Sequence, residues 1–299
     1  MRHLTTLLYI DAVARAGSIR KAADSLSITS TALNRRLLAI EEDLGVPIFE
    51  RLPRGVRLNA AGELLIQHIR HQISDMARVR SQIADLSGER RGHVSIACSQ
   101  AVLVYLPGQI ARYRAEHPGV TFGVFRRDRA AAEQALVDHT ADLALVFEPI
   151  RLAEFQTILT VRQQVHAMLS RDHPLARRES LRLRECLEYP IALPTQGYGV
   201  RHLLEIALVD SPIRLTPAIE SDSFEFLRYQ VITEGIVSFQ IPIGLAQDSL
   251  PPGMVTVPID ERDVPTGLIY VGQLRGRTLP VAAARFADQL TKDLVEQYE

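Results

Sequence analysis

The sequence predicts an α/β protein in three parts: a small helical region, one long helix, and a larger region in which strands and helices alternate. Three observations predict this fold class. Apolar residues recur at helical spacing over residues 4–44. A helical pattern without proline covers residues 60–88. From residue 93 onward, short β-branched runs alternate with helical segments, which is the rhythm of a parallel sheet.

Bulk composition excludes several classes of protein. The 299 residues are enough for two domains, and 46% apolar with 23% charged residues is ordinary for a globular chain. No run approaches the roughly 18 apolar residues of a membrane helix, and Asp11 and Arg15 interrupt the apolar start. Cys98 and Cys186 are too few for a disulfide framework or a zinc site. We therefore expect a reduced cytoplasmic protein without cofactor, metal or membrane contact.

Charge is distributed unevenly along the chain. Residues 1–92 hold 14 Lys and Arg against 10 Asp and Glu, whereas residues 93–299 hold 20 against 25. The net charge of the whole chain is −1. This asymmetry indicates that the N-terminal part, and not the rest, meets a polyanion.

The first two helices are predicted to cross closely. Gly17 can end the first helix in a left-handed conformation, and Ser18 can cap the second. The second helix carries Ala22 and Ala23 on its buried face, and small side chains permit the close approach that a helix-turn-helix unit needs. The apolar face of the first helix comprises Leu4, Leu7, Leu8, Ile10, Val13 and Ala14.

A third helix begins at Thr29 or Ser30 and buries the stripe Leu33, Leu37, Ile40 and Leu44. Its remaining polar residues face solvent or a ligand. Asn can hydrogen-bond adenine, Arg can hydrogen-bond guanine, and hydroxyls at a helix start suit phosphate. The alternative is a capped surface helix with solvated arginines. The candidate DNA contacts around this helix are Ser18, Arg20, Lys21, Thr29, Ser30, Thr31, Asn34, Arg35 and Arg36.

Residues 45–65 are predicted to form a basic hairpin. Two short extended pieces flank the turn Pro53-Arg54-Gly55, and Arg51, Arg54 and Arg57 crowd that turn. A basic wing beside a recognition helix is the winged variant of the helix-turn-helix, with the wing against the adjacent backbone or minor groove. This hairpin favours DNA binding over the surface-helix alternative.

These segments resemble the DNA-binding domain of LysR-type transcriptional regulators over residues 4–65. The resemblance lies in the blocks "AVARAGSIRKAADSLSIT", "ALNRRLLAIEEDLGVPIFER" and "RGVRLNAAGE", which follow the family pattern in order and without gaps. Two departures fall on the face that would touch bases. The chain has Thr29-Ser30-Thr31 where the family has Ser-Gln-Pro, and Asn34 where the family usually has Ser.

The long helix carries an apolar stripe at heptad-like spacing. One alternative is that it packs only on its own domain; the other, which the resemblance implies, is that a second copy covers it in a homodimer or homotetramer. His68 and His71 share one side of this helix, but no third metal ligand is near. The polar segment "SGERRGH" is predicted to end the helix. The stripe consists of Ile66, Ile69, Ile73, Met76, Val79, Ile83 and Leu86.

The resemblance implies an effector domain like a type 2 periplasmic binding protein after the linker. It also implies a division into a winged helix-turn-helix (1–60), a linker helix (61–91) and a regulatory domain (92–299). Within the last, lobe I comprises 92–161 and 267–299, and lobe II comprises 162–266. Because no signal peptide is predicted, an exported solute receptor is not expected.

Ligands of open α/β sheets bind where strands end. Three segments follow predicted strands and start helices, and their hydroxyl and N–H groups suit a carboxylate or another anion. Each could also be a plain helix cap, and each Arg could be merely solvated. The candidate effector contacts are Ser99, Gln100, Thr195, Gln196 and Ser221, with Arg127 and Arg201 as counter-charges and Phe239 as an apolar wall.

The resulting hypothesis is a transcriptional regulator in the nucleoid. It binds double-stranded promoter DNA and a small-molecule effector, and it contacts RNA polymerase if it is an activator. An enzyme is the second hypothesis, but the sequence lacks a phosphate loop, a G-x-S-x-G, a zinc H-E-x-x-H and a Cys paired with a base. Redox sensing through Cys98 or Cys186 is the third, and the apolar strand around Cys98 argues for an inert thiol.

Overall fold

The computed structural model of the chain describes residues 2–86, 91–127, 129–149, 153–245 and 250–298. The chain divides into two compact units, Met1–Ile83 and Ala84–Glu299. Residues 87–90, where the linker helix was predicted to end, lie outside the described residues.

The first unit is helical with one hairpin. Three helices precede the hairpin and the longest helix follows it. The elements are α1 (Arg2–Ala16), α2 (Ile19–Ser25), α3 (Ser30–Leu44), β1 (Phe49–Leu52), β2 (Gly55–Leu58) and α4 (Ala60–Leu86).

Local signals set the ends of these helices. Gly17 adopts φ 59°, and the Ser18 hydroxyl caps α2 by accepting from the Lys21 N–H. Thr29 caps α3 by accepting from the Ala32 N–H, and Gly45 ends α3 at φ 71°. The predicted end of α1 at Gly17 and the predicted caps at Ser18 and Thr29 are confirmed, whereas the stop at Gly45 was not predicted.

The core of the first unit lies between the helices and the base of the hairpin. Leu33 and Leu37 are buried as predicted, and Ile40 is partly buried. Leu44 is 47% exposed, so the predicted stripe ends one turn early, because the last turn of α3 runs beyond the core before Gly45. The buried residues are Ile10, Val13, Ala22, Ala23, Leu33, Leu37, Ile48, Phe49, Ile66 and Ile69.

The two halves of helix α4 differ in how far their apolar residues are buried. Ile66 and Ile69 are buried in the core of the first unit, but Val79 and Ile83 are 37% and 60% exposed. The Arg70 guanidinium donates to the buried Asp11 carboxylate at 2.9 Å and ties α4 to α1. The first half of α4 therefore packs on its own domain, while the second half leaves apolar surface uncovered within one protomer.

Within the described residues, the second unit contains two five-stranded sheets. The strands and helices of the first lobe are β3 (Gly92–Cys98), α5 (Leu106–Glu116), β4 (Val120–Arg126), α6 (Ala131–Val137), β5 (Leu143–Phe147), β6 (Phe155–Gln163), β12 (Gly267–Leu274) and α10 (Val281–Tyr298). Its sheet has the order β4-β3-β5-β12-β6, in which β3 runs parallel to β4 and β5, and β12 runs antiparallel to its neighbours.

The elements of the second lobe are β7 (His166–Ser170), α7 (Leu183–Cys186), β8 (Ile191–Pro194), α8 (Gly199–Ala207), β9 (Ile219–Ser221), α9 (Phe224–Glu234), β10 (Val237–Gln240) and β11 (Met254–Pro258). Its sheet has the order β11-β7-β10-β8-β9. The chain passes between the sheets twice, once between β6 and β7 and once between β11 and β12. The two-lobed α/β fold predicted for this region is confirmed.

The two lobes touch where α8 begins. A Cβ added to Gly199 would lie 2.5 Å from Cδ1 of Phe147, the last residue of β5, so only glycine permits this approach. Phe147 is itself 1% exposed and belongs to a core that includes residues of both sheets. This contact brings the end of a strand of one lobe against the start of a helix of the other.

Candidate nucleic-acid interface and effector cleft

The N-terminal half of α3 presents a continuous polar surface. Thr29, Ser30, Thr31, Arg35 and Arg36 are all exposed, because Leu33 and Leu37 occupy the opposite, buried face. Hydroxyl, amide and guanidinium groups are the groups that contact phosphates and base edges. The sequence reasoning placed these residues correctly on the outer surface.

Several predicted contacts also have partners within the protein, among them Arg36 and Ser18. The Arg36 guanidinium lies 4.8 Å from the ring centroid of Tyr9 on α1, a cation–π contact. The Ser18 hydroxyl accepts the Lys21 N–H as the cap of α2, whereas the Arg20 and Lys21 side chains are exposed. The available positive charge of α2 therefore comes from Arg20 and Lys21.

Strands β1 and β2 form the predicted basic hairpin. They pair antiparallel with Leu52 opposite Gly55, so Pro53 and Arg54 form its tip. Arg51, Arg54 and Arg57 are all exposed. Arg57 donates to Glu50 at 2.7 Å across the strands, and this hydrogen bond and charge raise the pKa of Arg57. Arg54, at the tip, forms no ion pair with a carboxylate among the described residues, so its positive charge is available to a ligand.

The hairpin is fastened to the helices by polar contacts. One Glu41 oxygen on α3 accepts the N–H groups of Ile48 and Phe49, at 2.8 and 3.1 Å. The Val56 N–H donates to the Gly17 carbonyl at 2.9 Å, which joins β2 to the turn after α1. Arg51 donates to the Asn34 Oδ1 at 3.1 Å. Helix and hairpin therefore form one preorganised surface.

In the second unit, two predicted segments lie side by side. β8 and β9 are parallel neighbours with Pro194 opposite Ser221, and the Thr195 N–H donates to the Ser221 carbonyl at 3.1 Å. Gln196, next to Thr195, is exposed. Ser99 lies in the other lobe, where its Oγ accepts the Phe147 N–H at 3.3 Å and retains its own O–H as a donor.

Arg126 connects the two lobes, and the sequence reasoning missed it. Its guanidinium donates to the Gln100 Oε1 at 3.3 Å and to the Asp222 carbonyl at 3.4 Å, and lies 3.9 Å from the Asp222 carboxylate. The Tyr198 hydroxyl donates to the same carbonyl at 3.2 Å. As the last residue of β4, Arg126 had the same positional signal as the chosen Arg127.

Three predicted effector contacts have other partners or positions. Arg127 donates to the Arg126 carbonyl at 2.9 Å and lies over the Phe125 ring. Arg201 is 6% exposed and bonds Glu205 at 2.7 Å, with Glu220 at 3.5 Å. Phe239 is fully buried in the core. Arg201 and Phe239 are therefore structural in this arrangement: the first is neutralised by acids of its own lobe, and the second has no exposed surface.

The described residues contain no cluster of three or more His, Cys, Asp or Glu that could hold a metal ion. They also contain no helix long and apolar enough to cross a membrane. Cys98 and Cys186 are free and buried, and burial raises the pKa of each thiol to about 12. Both thiols are thus poor candidates for a redox switch.

Comparisons with known proteins agree with this geometry. The family model "Bacterial regulatory helix-turn-helix protein, lysR family" matches residues 4–63, and the model "LysR substrate binding domain" matches residues 87–294. The fold and the exposed helix and hairpin are those of a bacterial helix-turn-helix regulator with a ligand-binding domain. The chain belongs to the LysR family of transcriptional regulators.

Individual relatives extend over almost the whole chain. The HTH-type transcriptional regulator YbhD of Escherichia coli is 27% identical over 293 residues, covering 96% of this chain and 90% of the relative. A full-length OxyR variant from Pseudomonas aeruginosa has a TM-score of 0.73 at 20% identity, covering 96% and 94% of the two chains. CbnR, solved in complex with its target DNA, has a TM-score of 0.55 at 20% identity, covering 97% and 99%. These structures share the fold.

Proposed function

We propose that this regulator inserts the N-terminal half of α3 into the major groove of promoter DNA, with the hairpin against the adjacent backbone. The observation that carries the proposal is the joined surface of α3 and β1–β2: Arg51 of the hairpin donates to Asn34 of α3, and the hydroxyls at the start of α3, Arg35 and Arg54 are exposed. CbnR, which shares the fold, has been solved with its target DNA. Bases are read from α3, and Arg54 contacts phosphate or the minor groove.

The same proposal places the effector between the lobes of the second unit. Ser99, Gln100 and Arg126 contribute from one lobe, and Thr195, Gln196 and Ser221 from the other. A guanidinium with hydroxyl and amide donors suits a small carboxylate or another anion. An effector that prefers one separation of the lobes shifts the regulator only by its difference in affinity for the two arrangements.

A second copy of the chain would bury the exposed apolar residues of α4. Val79 and Ile83 leave an apolar surface on a helix whose first half is already packed, so a second copy accounts for the stripe better than a monomer does. The working division is therefore a DNA-binding domain at 1–60, a dimerising linker at 61–91 and an effector domain at 92–299, in a homodimer or homotetramer. RNA polymerase is a further partner if the protein activates transcription in the nucleoid.

Enzymatic activity is no part of the proposal. Family membership indicates regulation, and the sequence contains no phosphate loop, G-x-S-x-G or zinc H-E-x-x-H motif. Both cysteines are buried.

Binding of the full-length protein to the duplex upstream of its own coding region tests the DNA assignment. Arg35→Ala or Asn34→Ala should cost about 1–3 kcal/mol and relax operator choice, while Arg54→Ala should weaken binding to all sequences alike. Arg114→Ala, an exposed arginine of the second unit, is the matched control and should change nothing. Unaltered binding by all three substituted proteins would refute the proposed surface.

A further inference from the structure

The Asn34 side chain is held in one of its two possible orientations. A guanidinium can only donate, so the group 3.1 Å from the Arg51 Nη2 has to be the amide oxygen of Asn34. The amide nitrogen, with its two N–H donors, is consequently turned away from Arg51. In the part of the chain that the structure describes, this is the hydrogen bond that the two side chains make.

The position of Arg51 is fixed by its strand. Arg51 lies two residues after Phe49, whose N–H binds Glu41, and it is paired in register with Val56, whose N–H binds Gly17. The hairpin is thus tied at β1 to α3, which carries Asn34, and at β2 to the turn after α1. The guanidinium reaches Asn34 from a strand that does not have to be ordered on binding, which lowers the cost of holding the amide.

We propose that Arg51 is a positioning residue that sets the base preference of Asn34. The inference rests on the proposed function, because it concerns the same face of α3. An unrestrained Asn presents one acceptor and one donor, and that pattern matches adenine N6 and N7. With its oxygen turned to Arg51, the Asn34 amide directs its two N–H donors, rather than its oxygen, to the groove.

Guanine is the purine that two donors fit. Its N7 and O6 are both acceptors, whereas adenine places an N6 donor beside N7, and a donor facing a donor leaves both without partners. The operator base that faces Asn34 is therefore guanine in the intact protein. Removal of Arg51 frees the amide to turn over, and the preferred base at that position changes to adenine.

Selection from a randomised duplex library, followed by sequencing, tests this inference with the full-length protein. The intact protein should enrich guanine over adenine at the position that loses preference in Asn34→Ala, by about tenfold. Arg51→Ala should reverse that preference at the same position and leave the other positions unchanged. Arg54→Ala, on the hairpin tip, is the matched control and should lower affinity without changing the base.

A double substitution separates positioning from direct reading. In an Asn34→Ala background, Arg51→Ala should have no further effect on the base preference at this position. Asn34→Asp keeps the acceptor for Arg51 but removes the outward donors, so it should abolish the guanine preference, and it tests the inference even if Arg51→Ala does not fold.

The outcomes distinguish this inference from the proposed function. If the Arg51→Ala protein binds every sequence more weakly but still selects guanine, Arg51 only contacts phosphate and the inference fails. Guanine selected by Asn34→Asp, or a base change on removing Arg51 from Asn34→Ala, also overturns it. An intact protein that enriches no sequence at all refutes the proposed DNA binding itself.

Discussion

Glu41 should fasten the hairpin to the recognition helix, and Glu41→Ala should release it. The carboxylate accepts two N–H groups of the chain entering β1, at 2.8 and 3.1 Å, and both contacts are partly buried. A hydrogen bond to a charged group contributes about 1.5–3 kcal/mol. Because Glu41 is only half-buried, we expect about 2 kcal/mol for the pair of bonds. That free energy corresponds to an opening equilibrium for the hairpin that is about thirtyfold larger.

Glu42→Ala is the matched control for this change. Glu42 is the next residue of α3, its side chain is exposed, and its removal deletes the same charge near DNA. Hydrogen exchange by mass spectrometry on peptides covering 46–58 should be about thirtyfold faster in Glu41→Ala and unchanged in Glu42→Ala. Both substitutions remove one negative charge and so strengthen the attraction to DNA equally. Because only Glu41→Ala also releases the hairpin, its affinity for DNA should be lower than that of Glu42→Ala. Equal exchange and equal affinity would refute the reasoning.

Two further predictions concern buried groups. Asp11→Ala removes the carboxylate that pairs with Arg70, whose side chain is only 12% exposed, and should destabilise the first unit by about 3 kcal/mol. Arg15→Ala breaks a pair whose arginine is 43% exposed and should cost less than about 1 kcal/mol. Equal urea midpoints for the two variants would contradict this expectation. Burial disfavours the thiolates of Cys98 and Cys186 and raises the pKa of each to about 12, so at pH 8 only about one thiol in ten thousand is ionised in the native protein. A thiol reagent should therefore react at pH 8 only after unfolding in urea, or as the pH approaches 12; prompt stoichiometric reaction of the native protein at pH 8 would show that the thiols are accessible.

Local chemistry made the first unit predictable in detail. Ser18, Thr29 and Gly45 act within one turn of their own positions, so caps and helix ends follow from sequence. The apolar spacing of Leu33 and Leu37 fixed which face of α3 is buried, and hence which face is polar and exposed. Leu44 departed from the pattern because periodicity does not reveal where the core ends.

The effector cleft was less predictable because its contacts join distant segments. Arg126 and Arg127 are adjacent in sequence, and only the end of β4 decides that Arg126 reaches Gln100 and Asp222. The sequence predicted Arg201 as a counter-charge for the effector, but the structure pairs it with Glu220 of β9. Phe239 lies in a strand flanked by β7 and β8, and sheet order is a property of the tertiary structure.

By itself, the sequence determined the helix caps of the first unit, the two-lobed α/β class and the exposed polar start of α3, because caps, turns and apolar periodicity act over a few residues. Only the tertiary structure decided that Arg51 faces the Asn34 oxygen, that Glu41 holds the hairpin and that Arg126 spans the lobes. These contacts join residues separated by 7 to 96 positions, and their geometry exists only once the chain has packed.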